Sequence, residues 1–181
     1  MMNIFYLDNV PKTCAEYHVD RHCVKMILEY AQLLSTAHRV LDGVEYIDNS
    51  SGRRIKRWKL GTSYESILYK ATHINHPSAV WVRKSYDNYM WLGQLLVELS
   101  KEYTYRYGKV HKCQGIGLID ALQYAPINIK LGTFTEPTPA MPDIYKVENN
   151  SIQSYINYYN GDKRRMFNWK KRDVPYFVTG E

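Results

Sequence analysis

The chain has 181 residues, of which 45% are apolar; that suits one folded domain spanning 1–181 and excludes a disordered chain. Its formal charge of +6 narrows the partners to anions and no further. No apolar run nears the ~20 residues of a membrane span, and MMNIFYLDNVPK lacks a signal-peptide core, so no membrane partner and a cytoplasmic location are expected.

In chain order, NIFYLD (Asn3–Asp8) is β-prone and reads as a strand or an extended lead-in. Pro11 and the Thr13/Glu16 spacing then predict the start of a long helix through Val40, stopped by Leu41–Gly43. VEYIDNSSGRRIKRW predicts a hairpin turning at DNSSG. A shorter helical stretch, SYESILYKATHI, ends at Asn75–Pro77. The second long helix runs from Ser78 to Gly108. From Lys109 to Val147 the prolines predict an ordered loop that wraps the core or acts as a lid. A third helix begins at Ser151 and runs into a basic, aromatic tail. The expected fold is mainly α, a single compact helical domain with three principal helices and a small β-hairpin.

On the first helix, residues at offsets 4, 7, 11, 14 and 18 from His18 share one azimuth. They are His22, Lys25, Glu29, Gln32 and Thr36, with Cys14 and Arg21 beside them, and the other azimuths are apolar. A narrow polar strip on a helix sunk in a core must face a cleft or a polar network, because unpaired buried charge is costly. Three chemistries suit it. His18 and His22 at i, i+4 could chelate a metal, but no second ligand cluster supports this and none is expected. Lys25 and Glu29, one turn apart, suit an amine nucleophile with a proton-transferring carboxylate. His18, Arg21, His22 and Lys25 suit plain anion recognition, holding a phosphate while Glu29 reads a base or ribose hydroxyl, with Gln32 a further nucleotide-binding candidate. A Lys25–Glu29 ion pair holding the helix in register is the structural alternative.

THINHPSAVWVR (Thr72–Arg83) forms the second constellation. His73, His76 and Ser78 sit where Pro77 opens a helix, a place that favours anions, and Trp81 and Arg83 follow with a ring and a guanidinium. Met141 and Tyr145 are expected as apolar walls over such a pocket, and Lys146 as a phosphate contact. Two basic, aromatic clusters, Arg53–Lys59 and Lys163–Arg172, fit phosphate backbones or two solvated surfaces equally. Cys14, Cys23 and Cys113 lack zinc-ribbon spacing and are expected as reduced thiols. No cofactor motif is present, and no cofactor is expected.

NIFYLD, EYAQLLSTAHRVL, THINHPSAVWVR and AMPDIYK together resemble an uncharacterised family of tailed-bacteriophage proteins. That family in turn is distantly similar to the phage pyrimidine-dimer DNA glycosylase of the endonuclease V type. The resemblance implies an all-α fold in the cytoplasm of an infected host and a glycosylase/lyase using an amine and a helix-borne glutamate. The sequence departs from that pattern. It begins Met-Met, so its terminal amine is expected on a bulky residue, and Lys25 stands near the expected glutamate position with Glu29 one turn on. A DNA glycosylase/lyase is therefore one expectation. A non-catalytic nucleotide-binding protein that sequesters a host signalling nucleotide is another, and a tyrosine-rich inhibitor of a host protein is a third. A homo-oligomer is compatible with each.

Overall fold

The computed structural model describes residues 2–180. It is mostly helical with one two-stranded hairpin, but eight α-helices rather than three principal ones appear among the described residues. Two are long, α2 (Asp20–Asp42) and α5 (Tyr86–Tyr107). The difference comes from breaks inside both predicted long helices.

The first break falls at His18 and Val19, both extended, between α1 (Pro11–Tyr17) and α2. Neither residue is a helix breaker. The cause is Arg106 of α5, fully buried, whose guanidinium donates to the carbonyls of Glu16 (2.9 Å) and His18 (2.8 Å) at the end of α1. The same side chain meets Asp20 Oδ1 at 2.9 Å and Glu102 Oε1 at 3.3 Å. Carbonyls that one continuous helix would use internally are thus taken by a cation, and Asp20 starts α2 with a favourable negative charge. Pro11 takes the first position of α1 as expected, while Thr13 and Glu16 lie within that helix and form no capping box.

The second break is at Ser85, between α4 (Pro77–Lys84) and α5. Ser85 is extended, and its hydroxyl accepts the Asn88 N–H, so a new helix is capped there instead of the old one continuing. Gly108 closes α5 in the left-handed conformation. The helix expected over SYESILYKATHI shrinks to α3 (Tyr64–Ile67). Arg39 explains why: its guanidinium, 3% exposed, donates to the carbonyls of Trp58, Glu65, Leu68 and Tyr69 and to Glu65 Oε2. The Leu68 and Tyr69 carbonyls are thereby turned toward Arg39 rather than along a helix. The same fan ties α2 to the hairpin, β1 (Val44–Asp48) paired antiparallel with β2 (Ile55–Lys59).

Met2–Leu7 is buried yet joins no strand. Its β-prone residues do not pair with the hairpin, and polar groups of the core satisfy the backbone instead: Phe5 N–H donates to Tyr30 Oη (3.1 Å), and Phe5 O accepts from Cys14 Sγ (3.1 Å). α2 packs on α4 and α5, and α1 packs on α5. The segment after α6 (Lys112–Gly115) and α7 (Leu118–Ala121) wraps the core, with Thr135 bonded to both Trp81 and Asn88. α8 (Ser151–Asn160) adds Tyr155 and Tyr159 to the core. The helix predicted beyond Asn160 stops at Gly161 and gives way to a 3-10 turn at Arg164–Met166. Beyond that turn the tail docks on the α1–α2 joint: Asp20 N–H donates to Asn168 O (2.8 Å), and Trp169 Nε1 donates to Tyr17 O (2.9 Å). No helix among the described residues is long and apolar enough to cross a membrane.

Candidate functional site

Docking of the tail carries Lys163, Arg165 and Met166 over the first turns of α2. There they enclose, with Phe5, Arg21, His22, Lys25 and Met26, a cleft of about 270 Å³. Four cationic side chains from two distant parts of the chain therefore meet around one small opening.

The floor of the cleft is held by a chain of hydrogen bonds. His18 is completely buried; its Nδ1 donates to Cys14 O (2.7 Å) and its Nε2 accepts from Tyr30 Oη (2.7 Å). Tyr30 Oη accepts in turn from Phe5 N–H. Phe5, so fixed, stacks on the His22 ring with centroids 4.0 Å apart and planes within 17°. His22 Nδ1 lies 2.7 Å from Tyr159 Oη, which also accepts the Val19 N–H. The tyrosine proton then goes to Nδ1, leaving Nε2–H as the donor of the ring that lines the cleft.

Both imidazoles are neutral. Burial pushes His18 down to about 4 and His22 down to about 2, the latter helped by the charges of Lys163 and Lys25. Stability linked to these rings is fully present above the ordinary histidine value near 6.5 and is lost as pH falls below it toward the folded-state values. Unfolding free energy is expected to drop by about 2 kcal/mol per ring between pH 7.5 and pH 5, at about 1.4 kcal/mol per pH unit below 6.5. Denaturant titrations at the two pH values test this. In His22→Gln the drop should be smaller by about 2 kcal/mol, the share of that one ring, and an unchanged pH slope would contradict a neutral, buried His22.

Around this floor the charges are close to solvent. Lys25 Nζ lies 3.3 Å from Glu29 Oε1, with the lysine side chain 60% exposed and the glutamate 8%. Lys163 reaches over the Tyr158 ring at 4.9 Å. Burial, together with the charges of Arg165 and Lys25, holds Lys163 below its ordinary value against the pull of Asp162 and Glu29. A second, shallower depression of about 410 Å³ shares Arg21 and Lys25 and is lined by Asp20, Val24 and Tyr107. Lys170 sits over the Tyr107 ring at 5.1 Å, so the cationic, aromatic surface continues past the cleft.

The residues singled out from sequence thus divide. Arg21, His22 and Lys25 share the cleft, with Glu29 paired to Lys25 at its edge. Gln32 is half-buried further along α2, toward Thr36, whose Oγ1 accepts the Thr72 N–H. His18 belongs to the core, because the break before α2 turns it off the strip; with both ring nitrogens occupied it cannot ligate a metal beside His22. Among the described residues no group of three or more His, Cys, Asp or Glu is arranged to hold a metal ion.

The second constellation forms no part of this cleft. His76 caps α4 itself, its Nδ1 accepting the Ser78 N–H at 3.1 Å, so that amide is already taken. Ser78 is buried, and His73 Nδ1 pairs with Thr72 Oγ1 at 2.7 Å. Trp81 is a core side chain, 3% exposed, bonded through Nε1 to Thr135 O, and offers no stacking plane. Arg83 is half-buried, and burial lowers it from its ordinary value. Lys146 pairs with Asp143 at 2.9 Å, and Tyr145 donates to Asp162. Phe5, Met26, Lys163, Arg165 and Met166 are the cleft residues that the strip alone does not reveal. The basic, aromatic composition of Lys163–Arg172 was the signal for the last three.

Compared with known protein families, curated proteins and solved structures, the chain matches none of them.

Proposed function

We propose that the α2 cleft binds a phosphate of a nucleic-acid strand and that the protein is a binding module rather than an enzyme. The observation that carries this reading is the convergence of Arg21, Lys25, Lys163 and Arg165 around a cleft floored by the neutral His22. Four cations supply charge, and the ring Nε2–H supplies a directed hydrogen bond to a phosphate oxygen. The cleft's volume suits a phosphate with part of its sugar better than a whole nucleotide. The adjoining depression, with Tyr107 beneath Lys170, extends the same chemistry to a neighbouring unit of a strand. Under the resemblance to tailed-phage proteins, such a module would act in the cytoplasm of an infected host.

A glycosylase/lyase is the second reading, and the Lys25–Glu29 pair at the cleft edge favours it. An exposed lysine paired with a carboxylate is a better counter-charge than a nucleophile, which must present a free amine. The terminal amine of Met1, the other candidate nucleophile, lies outside the described residues.

Fluorescence anisotropy of a labelled single-stranded oligonucleotide, measured across salt concentrations, separates these readings when combined with borohydride trapping on an abasic strand. The binding reading predicts a log–log salt slope of about −1.4 or steeper, since each phosphate neutralised on a single strand contributes about −0.7. It also predicts no covalent adduct. A trapped adduct, formed when an amine on the sugar C1′ gives a Schiff base that hydride reduces, would establish the lyase instead. A flat salt dependence would exclude the phosphate site.

A further inference from the structure

The geometry points to a second binding site, on the opposite half of α2, for an uncharged aromatic molecule that carries an N–H or O–H donor. A cavity of about 660 Å³ lies between the end of α2, the turn before α3 and the 124–128 segment. Its volume falls within the usual range of small-molecule pockets.

His38 lies in the cavity lining and is 3% exposed. Its Nε2 is 2.8 Å from both Tyr89 Oη and Tyr124 O. Tyr89 donates its own proton to Leu122 O (2.8 Å), and a carbonyl can only accept, so Nε2 must carry the hydrogen. Burial lowers His38 from its ordinary value and keeps the ring neutral. Nδ1 is therefore an acceptor, and it makes no hydrogen bond to the described residues. The protein has fixed one tautomer with two partners and left the other nitrogen facing no protein donor.

The walls set the rest of the ligand. Tyr64, T-shaped to His38 at 5.7 Å, lines the cavity with Leu60, Tyr124 and Ala125, which suit a flat apolar body. Among the described residues no lysine or arginine lines it. Its one carboxylate, Asp42, already accepts from Ile127 N–H (2.8 Å), Asn128 N–H (2.9 Å) and Asn128 Nδ2 (2.9 Å). An anion would find no counter-charge here, in contrast with the cleft at the start of α2. A neutral donor finds His38 Nδ1.

Indole and 1-methylindole test this directly, because they share a flat body and differ in the N–H. Isothermal titration calorimetry should show indole binding about fivefold more tightly than 1-methylindole, the factor that one hydrogen bond supplies. His38→Phe keeps a ring of similar size and should abolish that preference. It also leaves Tyr124 O and Tyr89 Oη without their donor, so a rim variant is needed alongside it. Ser63 is exposed, and its side chain caps nothing. Ser63→Trp should fill the mouth and remove indole binding, with the circular dichroism spectrum unchanged. Equal affinity for the two indoles, indole binding that survives in Ser63→Trp, or no indole binding at millimolar concentration would each overturn the site.

Discussion

Methionine in place of Arg106 is expected to lower the unfolding free energy by about 3–5 kcal/mol, the range for removing one partner from a buried charged network. The guanidinium is fully buried and satisfies four groups at once: two carbonyls at the end of α1, Asp20 at the start of α2 and Glu102 on its own helix. Glu102 retains Arg172, which meets its two oxygens at 2.9 and 3.2 Å, so that carboxylate is not left alone. The Glu16 and His18 carbonyls have no such substitute, and the α1–α2 joint should loosen. Lysine should rescue only part of the loss, since one ammonium cannot reproduce the planar fork that reaches both carbonyls and a carboxylate. Urea titration reads the change. A loss below about 1 kcal/mol would mean that the joint is held by packing, with Arg106 incidental to it.

The same side chain shows what a sequence reading reaches and where it stops. Local signals were legible: the hairpin from its DNSSG turn, the end of α2 at Gly43, the start of α4 at Pro77 and the end of α5 at Gly108. The polar strip at His22, Lys25, Glu29 and Gln32 was legible too, because those residues lie within one unbroken helix. The break at His18 was not, since no proline or glycine marks it. The residue that causes it lies 88 positions along the chain from His18. His18 therefore falls on an extrapolated strip that the real backbone does not continue.

The burial of Trp81 is hidden for a similar reason, its indole partner being the carbonyl of Thr135 in a distant loop. The cleft itself depends on the tail docking through Asn168 and Trp169, which bond to residues more than a hundred positions away. Composition showed that Lys163–Arg172 was basic and aromatic. Only the docking shows that its first residues face Lys25.

Charge reversal in the cleft bears most directly on the proposed role. Lys25 and Arg165 are exposed, so glutamate at either position should leave the fold intact. Lys25→Glu also faces Glu29, a buried carboxylate one turn away, so it costs more stability than an exposed like-charge pair, and its circular dichroism spectrum is checked before binding is read. Arg53→Glu, at the exposed hairpin turn, makes the same change in net charge away from the cleft and serves as the control. The measurement is the affinity of each variant for a single-stranded oligonucleotide at two salt concentrations. Lys25→Glu and Arg165→Glu should each weaken binding by about tenfold or more, and each should reduce the salt slope by about 0.7 for the one phosphate no longer neutralised. The control should bind nearly as the unaltered protein does. Equal weakening by Arg53→Glu would show that net charge alone attracts the strand, and unchanged binding in both cleft variants would show that the cleft holds no phosphate.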